Sequence, residues 1–355
     1  MTTMTDSAVL VTGGVDTHKY THVAVALDER GALLGTGEFA ATGAGYKELL
    51  DWLEGFGAVD AVGVEGTGSW GAGLCRSLLD ADITVHEVGR PNRQRRRRAG
   101  KSDPADAEAA ARAVQANDGL AVPKSRSGAV ESMRLLRIAR SSTSKTINLL
   151  ANQMHAIIDT GPEAFRARHR GRTLRAVASD AAASAPRGHL ADPQVAAATT
   201  LRRLARRWLE LTAELADIDN DLKALLALAA PPALMAEFGV GPDVASTLLV
   251  SAGDNPTRLH SNGAAAALWG SSPVDASSGL QQRHRLNRGG DRQANRALHT
   301  IVITRLRYDP VTQAYLARRI NDGKTKKEAI RCLKRYLARR IWHIITQPPN
   351  LQHAP

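Results

Sequence analysis

The chain has 355 residues, 43% hydrophobic and 4% aromatic, and 47 Lys and Arg against 35 Asp and Glu leave a net charge of +12. That length admits two or three domains with a sizeable core, while the longest apolar stretch, near Ala224 to Val240, is broken by Pro231 and Pro232 and excludes a membrane span. Cys75 and Cys332 stand far apart without metal or redox spacing, which excludes a disulfide framework and fits a reducing cytosol; no basic start followed by an apolar run marks a leader.

From its start the chain reads as a three-stranded meander. Val15 and Asp16 lead through Thr17 to Thr21 into Val23-Ala24-Val25-Ala26-Leu27, and Asp28 to Gly31 forms a turn before Leu33 to Phe39. A helix is expected from Gly45 to Gly55, with Leu49, Leu50 and Leu53 toward the sheet. Ala61 to Val64 then makes a short buried strand ending at Glu65. A helix over Trp70 to Leu79, a strand over Ile83 to Val88 and a helix opening at Asp103 complete an alternating α/β region, predicted as one domain over 10–118.

The helix that opens at Asp103 carries the first chemical signal. Asp103 is expected to cap its first turn, Pro104 suits the first helical position, and Asp106, three residues on, points the same way. An acidic first turn facing the helix dipole is common without any chemistry. Asp16 and Glu65 change the weighting, because each lies at or near the end of a predicted strand. An α/β fold could gather the four carboxylates into a set suited to hard divalent cations. Just before the helix, Arg93, Arg95, Arg96, Arg97, Arg98 and Lys101 form a dense basic loop. A solvated charge run or a localisation signal would account for it; its place beside the carboxylates favours phosphate contact.

The middle is helical. One pattern runs from Val130 to Ile158, and a cleaner one through Leu204, Trp208, Leu211, Leu215, Ile218, Leu222 and Leu225 alternates spacings of four and three. That seam fits an internal antiparallel hairpin and an intermolecular coiled coil equally well. Between the two helices, Arg166, Arg168, Arg170, Arg172 and Arg175 precede an Ala, Ser and Pro-rich segment expected to be mobile. The helical region is predicted over 125–230, and a further domain over 231–346.

In that last domain Gly239-Val240-Gly241-Pro242 has the form of a helix-hairpin-helix turn, whose backbone amides at Gly239 and Gly241 could hold a phosphate. A serine-rich loop, Trp269 to Gly279, runs into Arg283, Arg285, Arg288, Arg292 and Arg296, and helices are predicted over 291–307 and 325–345. Between Arg283 and Arg340 seventeen Lys or Arg face four acidic residues, a surplus of 13 that exceeds the whole chain's net charge of +12 and favours a polyanionic partner, most plausibly nucleic acid. With so few aromatic residues, base stacking is a poor guess for the main binding mode.

Taken together, these motifs resemble those of the bridge-RNA-guided DEDD transposases of bacterial insertion sequences. The resemblance rests on Gly14-Val15-Asp16-Thr17-His18-Lys19, Val64-Glu65-Gly66-Thr67-Gly68, Lys101-Ser102-Asp103-Pro104-Ala105-Asp106-Ala107, the Gly239 to Pro242 turn, and Ser278-Gly279 followed by Arg288 to Arg296. Gly66 departs from the alanine more usual there, and the Gly270 to Gly279 loop is richer in serine than is usual. The resemblance implies an α/β plus all-α architecture: an N-terminal ribonuclease H-like, resolvase-like domain, a central helical coiled-coil region and a C-terminal helical transposase domain. It also implies magnesium held by Asp16, Glu65, Asp103 and Asp106, Ser278 as nucleophile with Ser277 second, and a guide RNA with donor and target DNA as partners. A dimer pairing into a tetramer with active sites shared between protomers, in the bacterial cytoplasm at the nucleoid, completes the implied picture. A metal-dependent junction nuclease using water, and a basic nucleic-acid-binding protein without catalysis, are the competing expectations; the carboxylate set argues against the latter.

Overall fold

The meander forms as the sequence predicts: β1 (Leu10–Thr17), β2 (Thr21–Leu27) and β3 (Leu33–Ala40) pair antiparallel in turn. The computed structural model describes residues 9–89, 102–277 and 284–347, so the expectations for Arg93, Arg95, Arg96, Arg97, Arg98, Lys101, Ser278, Gly279 and Arg283 lie outside the described residues. Two units divide the chain, Met1–Arg126 with Ala252–Ser261, and Ser127–Ser251 with Asn262–Pro355.

In the first unit β4 (Ala58–Glu65) lies parallel to β1, β5 (Val85–Val88) parallel to β4, and β6 (Leu120–Ala121) antiparallel to β5. The result is a mixed six-stranded sheet of order β3-β2-β1-β4-β5-β6. β1 and β2 are buried almost throughout because helices cover both faces. On one face Val11, Val15, Val62 and Val64 pack with Leu49 and Leu53 of α1 (Gly43–Glu54) and with Leu74 and Leu78 of α2 (Ala72–Asp80). On the other, Val23, Val25 and Leu27 meet Ala107 and Ala111 of α3 (Asp103–Gln115).

Glycine sets how close α3 comes to the sheet. A Cβ on Gly14 would lie 2.2 Å from the Ala107 carbonyl oxygen, and one on Gly63 would lie 2.7 Å from that of Ala110. Both positions therefore need a bare backbone. Gly66, the departure from the resembled pattern, has φ +74°, a conformation that alanine rarely adopts.

In the second unit α4 (Ala129–Thr160) packs against α7 (Pro193–Ala229). Arg140 meets Asp219, Thr143 meets Glu214, and Met154 clusters with Leu201 and Ala205, so the pair runs antiparallel. The leucine seam is thus engaged within the chain: Ile218 and Leu222 are buried, and Leu204, Trp208, Leu211, Leu215 and Leu225 are half-buried.

The start of the segment expected to be mobile is instead helical, lying in α6 (Leu174–Ala183), while the arginine run before it forms α5 (Glu163–His169); Phe165, Val177, Ala178 and Ala181 are buried against α4 and α7. The cause is local: Ala178 and Ala181 sit on one helical face with Val177, alanine is the best helix former, and its small side chain lets α6 approach closely.

Then come α8 (Pro232–Met235), α9 (Pro242–Ala252), α10 (Asn262–Leu268) and the two-stranded pair β7 (Val274–Asp275) and β8 (His284–Arg285). Helices α11 (Arg292–Tyr308), α12 (Pro310–Asn321) and α13 (Lys326–Thr346) end the described chain. The predicted 291–307 and 325–345 helices are thus present. The intervening α12 was not predicted, although Asp309 caps it through Val311 N and Thr312 N and Pro310 opens it.

Candidate metal centre and nucleic-acid surface

Strand alternation decides which residues face α3. Val15 pairs with Val64 in the parallel β1/β4 ladder, and both join the core on the opposite face. Asp16 and Glu65, the next residues along, share the α3 face with Gly14 and Gly63. The Thr17 hydroxyl donates to the Glu65 carbonyl at 2.8 Å, pinning the two strand ends together. Because Ala107 sits over Gly14, Asp103, one turn earlier on α3, comes to the end of β1.

The side chains that meet there are Asp16, His18 and Asp103. His18 Nε2 lies 3.3 Å from Asp16 Oδ2 and 3.3 Å from Asp103 Oδ2, and one ligand atom from each residue lies within 4.8 Å of the others. That nitrogen is buried and makes no hydrogen bond of normal geometry. An imidazole nitrogen facing two carboxylate oxygens fits a divalent metal, with two oxygen donors and one nitrogen donor converging on one point.

Asp106 is buried one turn further into α3, and Glu65 is half-buried at the end of β4; neither belongs to the three-residue group. The expected cap at Asp103 is corrected. Ser102 occupies the cap position without a side-chain cap hydrogen bond, and Asp103 is the first helical residue, its carboxylate turned to His18 rather than to the helix amides. His18 is the member that sequence reasoning missed. Its signal was the Asp-x-His spacing, which in extended chain puts both side chains on one face.

The C-terminal expectations fall on exposed ground. Arg285, Arg288, Arg292 and Arg296 are all exposed. Gly239 has φ +86° and Gly241 is exposed just before α9. Asp243 in the first turn of α9 is held by Arg137 at 2.9 Å and by Arg140 at 3.4 Å, which puts a carboxylate and two guanidiniums beside that turn. At the serine loop, the Ser277 hydroxyl and amide both donate to Asp275 Oδ1, and the hydroxyl above all holds the Asp275 carboxyl below the ordinary carboxylate range. Of the 166–175 arginines, Arg166 and Arg170 pair with Glu163 and Arg172 pairs with Asp180.

Residues 13–161 match the family model of IS110 DEDD transposases, and residues 232–317 match the one described as transposase IS116/IS110/IS902 family. Over both matched stretches the chain is similar to the IS110 family of transposases. Among relatives of this family, an uncharacterized 42 kDa protein of insertion element IS900 from Mycobacterium paratuberculosis is 26% identical over 192 residues, 51% of this chain and 46% of that protein. An uncharacterized 43.6 kDa protein of insertion element IS110 from Streptomyces coelicolor is 34% identical over 108 residues, 29% of this chain and 26% of that protein. The aligned part therefore spans less than half the length of either relative. No helix among the described residues is long and apolar enough to cross a membrane.

Proposed function

We propose that the chain is a DNA transposase that cuts and exchanges strands between an insertion sequence and its target, guided by RNA and passing through a covalent phosphoserine. The observation that carries the enzymatic reading is the convergence of Asp16, His18 and Asp103 at the end of β1. The strand order β3-β2-β1-β4-β5, with β2 antiparallel to β1, supports a ribonuclease H-like sheet. Magnesium is the proposed cation, with Asp16, Glu65, Asp103 and Asp106 as its carboxylates and His18 beside them. When bound, it supplies Lewis-acid polarisation of a scissile phosphate and neutralises its charge.

The chain's own groups account for the rest. His18 orients the Asp16 and Asp103 carboxylates toward one another, and α3 keeps Asp103 at the strand end. Ser278 is the proposed nucleophile: its Oγ bonds to phosphorus as the bond to one sugar oxygen breaks, and the hydroxyl proton ends on that leaving oxygen. One phosphoester replaces another, so the strand can be resealed without an external energy source. Arg283, Arg285, Arg288, Arg292 and Arg296 would hold the neighbouring phosphates, and Arg93, Arg95, Arg96, Arg97, Arg98 and Lys101 those at the carboxylates. Neither group has a base-reading pattern, so sequence choice would come from pairing with RNA. Residues 10–118 would provide the metal chemistry, 125–230 the assembly into a dimer and then a tetramer, and 231–346 the serine, in the cytoplasm of a bacterium.

A hydrolytic junction nuclease is the second reading, favoured by the match of residues 13–161 to a DEDD transposase model, since a carboxylate-held metal can also activate water. End-labelled DNA, magnesium and RNA-loaded protein, mixed and then denatured, separate the two. Labelled protein that disappears with Ser278→Ala supports the proposal. Loss only with Ser277→Ala moves the role to that serine, and cleavage without labelled protein in any variant selects the nuclease.

A further inference from the structure

A cavity of about 380 Å³ opens in the C-terminal unit, walled by the segment after α10, by β8 and by α12 and α13. Six cations line it, Arg285, Arg319, Lys324, Arg331, Lys334 and Arg335, against one carboxylate, Glu328. Glu328 is already engaged in the capping box of α13, where it accepts from the Thr325 amide and hydroxyl, and it stands 3.9 Å from Arg331. Arg319 is paired with Asp322 at 3.1 Å.

Lys334 is the anomaly. Its residue is 6% exposed, and its ammonium donates to Asn295 Oδ1, a neutral acceptor, at 2.6 Å. No carboxylate among the described residues pairs with it, and burial, then the charge of Arg331, push its pKa below the ordinary lysine value. A buried ammonium without a counter-charge is costly. A cavity lined by cations, one of them buried on a neutral acceptor, calls for an anion.

The space is larger than an anion alone requires, since pockets for small organic ligands begin at about 300 Å³. Tyr336, Leu286 and Pro273 supply apolar wall, and Tyr315 braces the Tyr336 ring edge-on at 5.9 Å between centroids. A nucleobase has the flat face such a wall accepts. We infer that the cavity binds a nucleotide, with its phosphate against Lys334 and its base against Tyr336. The site holds whether or not the chain exchanges strands through a serine.

Cys332 lines the same cavity and is half-buried, while Cys75 is buried with its thiol pushed up to about 11, so the chain carries one reporter thiol and one silent control. The rate of Cys332 alkylation, read by peptide mass spectrometry on the full chain, is measured with inorganic phosphate, thymidine 5′-monophosphate and single-stranded oligothymidylate. A nucleotide at ten times its Kd should slow Cys332 about tenfold and leave Cys75 unchanged. Lys334→Met, which removes the buried charge and keeps the volume, should abolish the protection. Tyr336→Ala, at an exposed position, should abolish protection by the mononucleotide. Protection by the mononucleotide would identify a free nucleotide as sufficient; protection by the oligomer alone would identify a strand. Equal protection by inorganic phosphate, full protection in Lys334→Met, or oligomer bound by anisotropy with Cys332 still reactive would each overturn the inference.

Discussion

The two units handle buried charge in opposite ways. At the end of β1 the N-terminal unit gathers carboxylates around one imidazole nitrogen, whereas the C-terminal unit lines a cavity with cations and buries an ammonium on a neutral amide. A group of carboxylates and an imidazole is of the kind that takes a divalent cation, and a cation-lined cavity is of the kind that takes a phosphate. Charge segregation of this kind is a cost that a structural protein would avoid, so in each unit it points to a ligand.

The sharpest way to break the comparison is Asp103→Asn. If the carboxylate serves a cation, strand cleavage should fall by about 10³-fold or more while nucleic-acid binding changes little. A cap role predicts the reverse, a loss of stability with chemistry spared. Because Asp103 is not at the cap position, thermal unfolding of the variant should match the parent.

Next in size is Gly14→Val, which tests how the cluster is positioned. The added side chain would run into the Ala107 carbonyl and Ala111 of α3, and overpacking of that kind costs about 1–3 kcal/mol in urea unfolding. Divalent-ion binding should weaken too, since α3 carries Asp103. Unchanged stability would mean that α3 does not need its close seat on β1.

His18→Ala probes the imidazole directly. Manganese, titrated by its electron paramagnetic resonance signal, should bind about tenfold more weakly, and the nitrogen coupling expected from a directly bound imidazole should vanish. The same affinity in both proteins would reduce His18 to a neighbour of the site.

These three residues also mark how far the sequence could be read. The sheet and the strand-end places of Asp16 and Glu65 were legible because alternation and strand ends are local signals, and the helix start that carries Asp103 and Asp106 because Pro104 and the acidic first turn announce it. His18 was not, since one histidine in a turn carries no spacing beyond its partner two residues away. The 163–183 helices escaped because arginine, alanine and serine there imitate a linker; only burial of Val177 and Phe165 against the long helices reveals their apolar face. Seam residues Leu204 to Leu225 were read correctly as a seam, but a heptad does not say whose helix answers it, and α4 of the same chain does.

For the cationic side, Arg288→Gln and Arg292→Gln should each lower the slope of log binding constant against log salt by about 0.7–0.9, as expected when one phosphate contact is lost. Both side chains are exposed, so folding should be untouched. A slope that does not move would remove these arginines from the phosphate surface.

The smallest effect concerns a buried base that needs no ligand. His22 is fully buried on β2, its Nδ1 lies 3.0 Å from the Thr21 carbonyl, and its ring stacks on Tyr46 at 5.6 Å with planes 10° apart. Burial, the largest cause, pushes its pKa below 6.5, the Thr21 carbonyl opposes the shift, and the neighbouring His18 adds to it. The fold therefore holds the neutral ring. Above the unfolded value of 6.5 both states are neutral there and His22 costs nothing. As pH falls below it the unfolded chain takes up the proton first, and stability declines until the folded ring also titrates. Urea midpoints from pH 8 to pH 5 should fall less steeply in His22→Gln than in the parent, and the parent's His22 ring resonances should stay in the neutral position at a pH where exposed histidines have titrated. Identical pH slopes would mean that the stacked ring accepts its proton in place, and the N-terminal unit would then tolerate a buried cation much as the C-terminal unit does at Lys334.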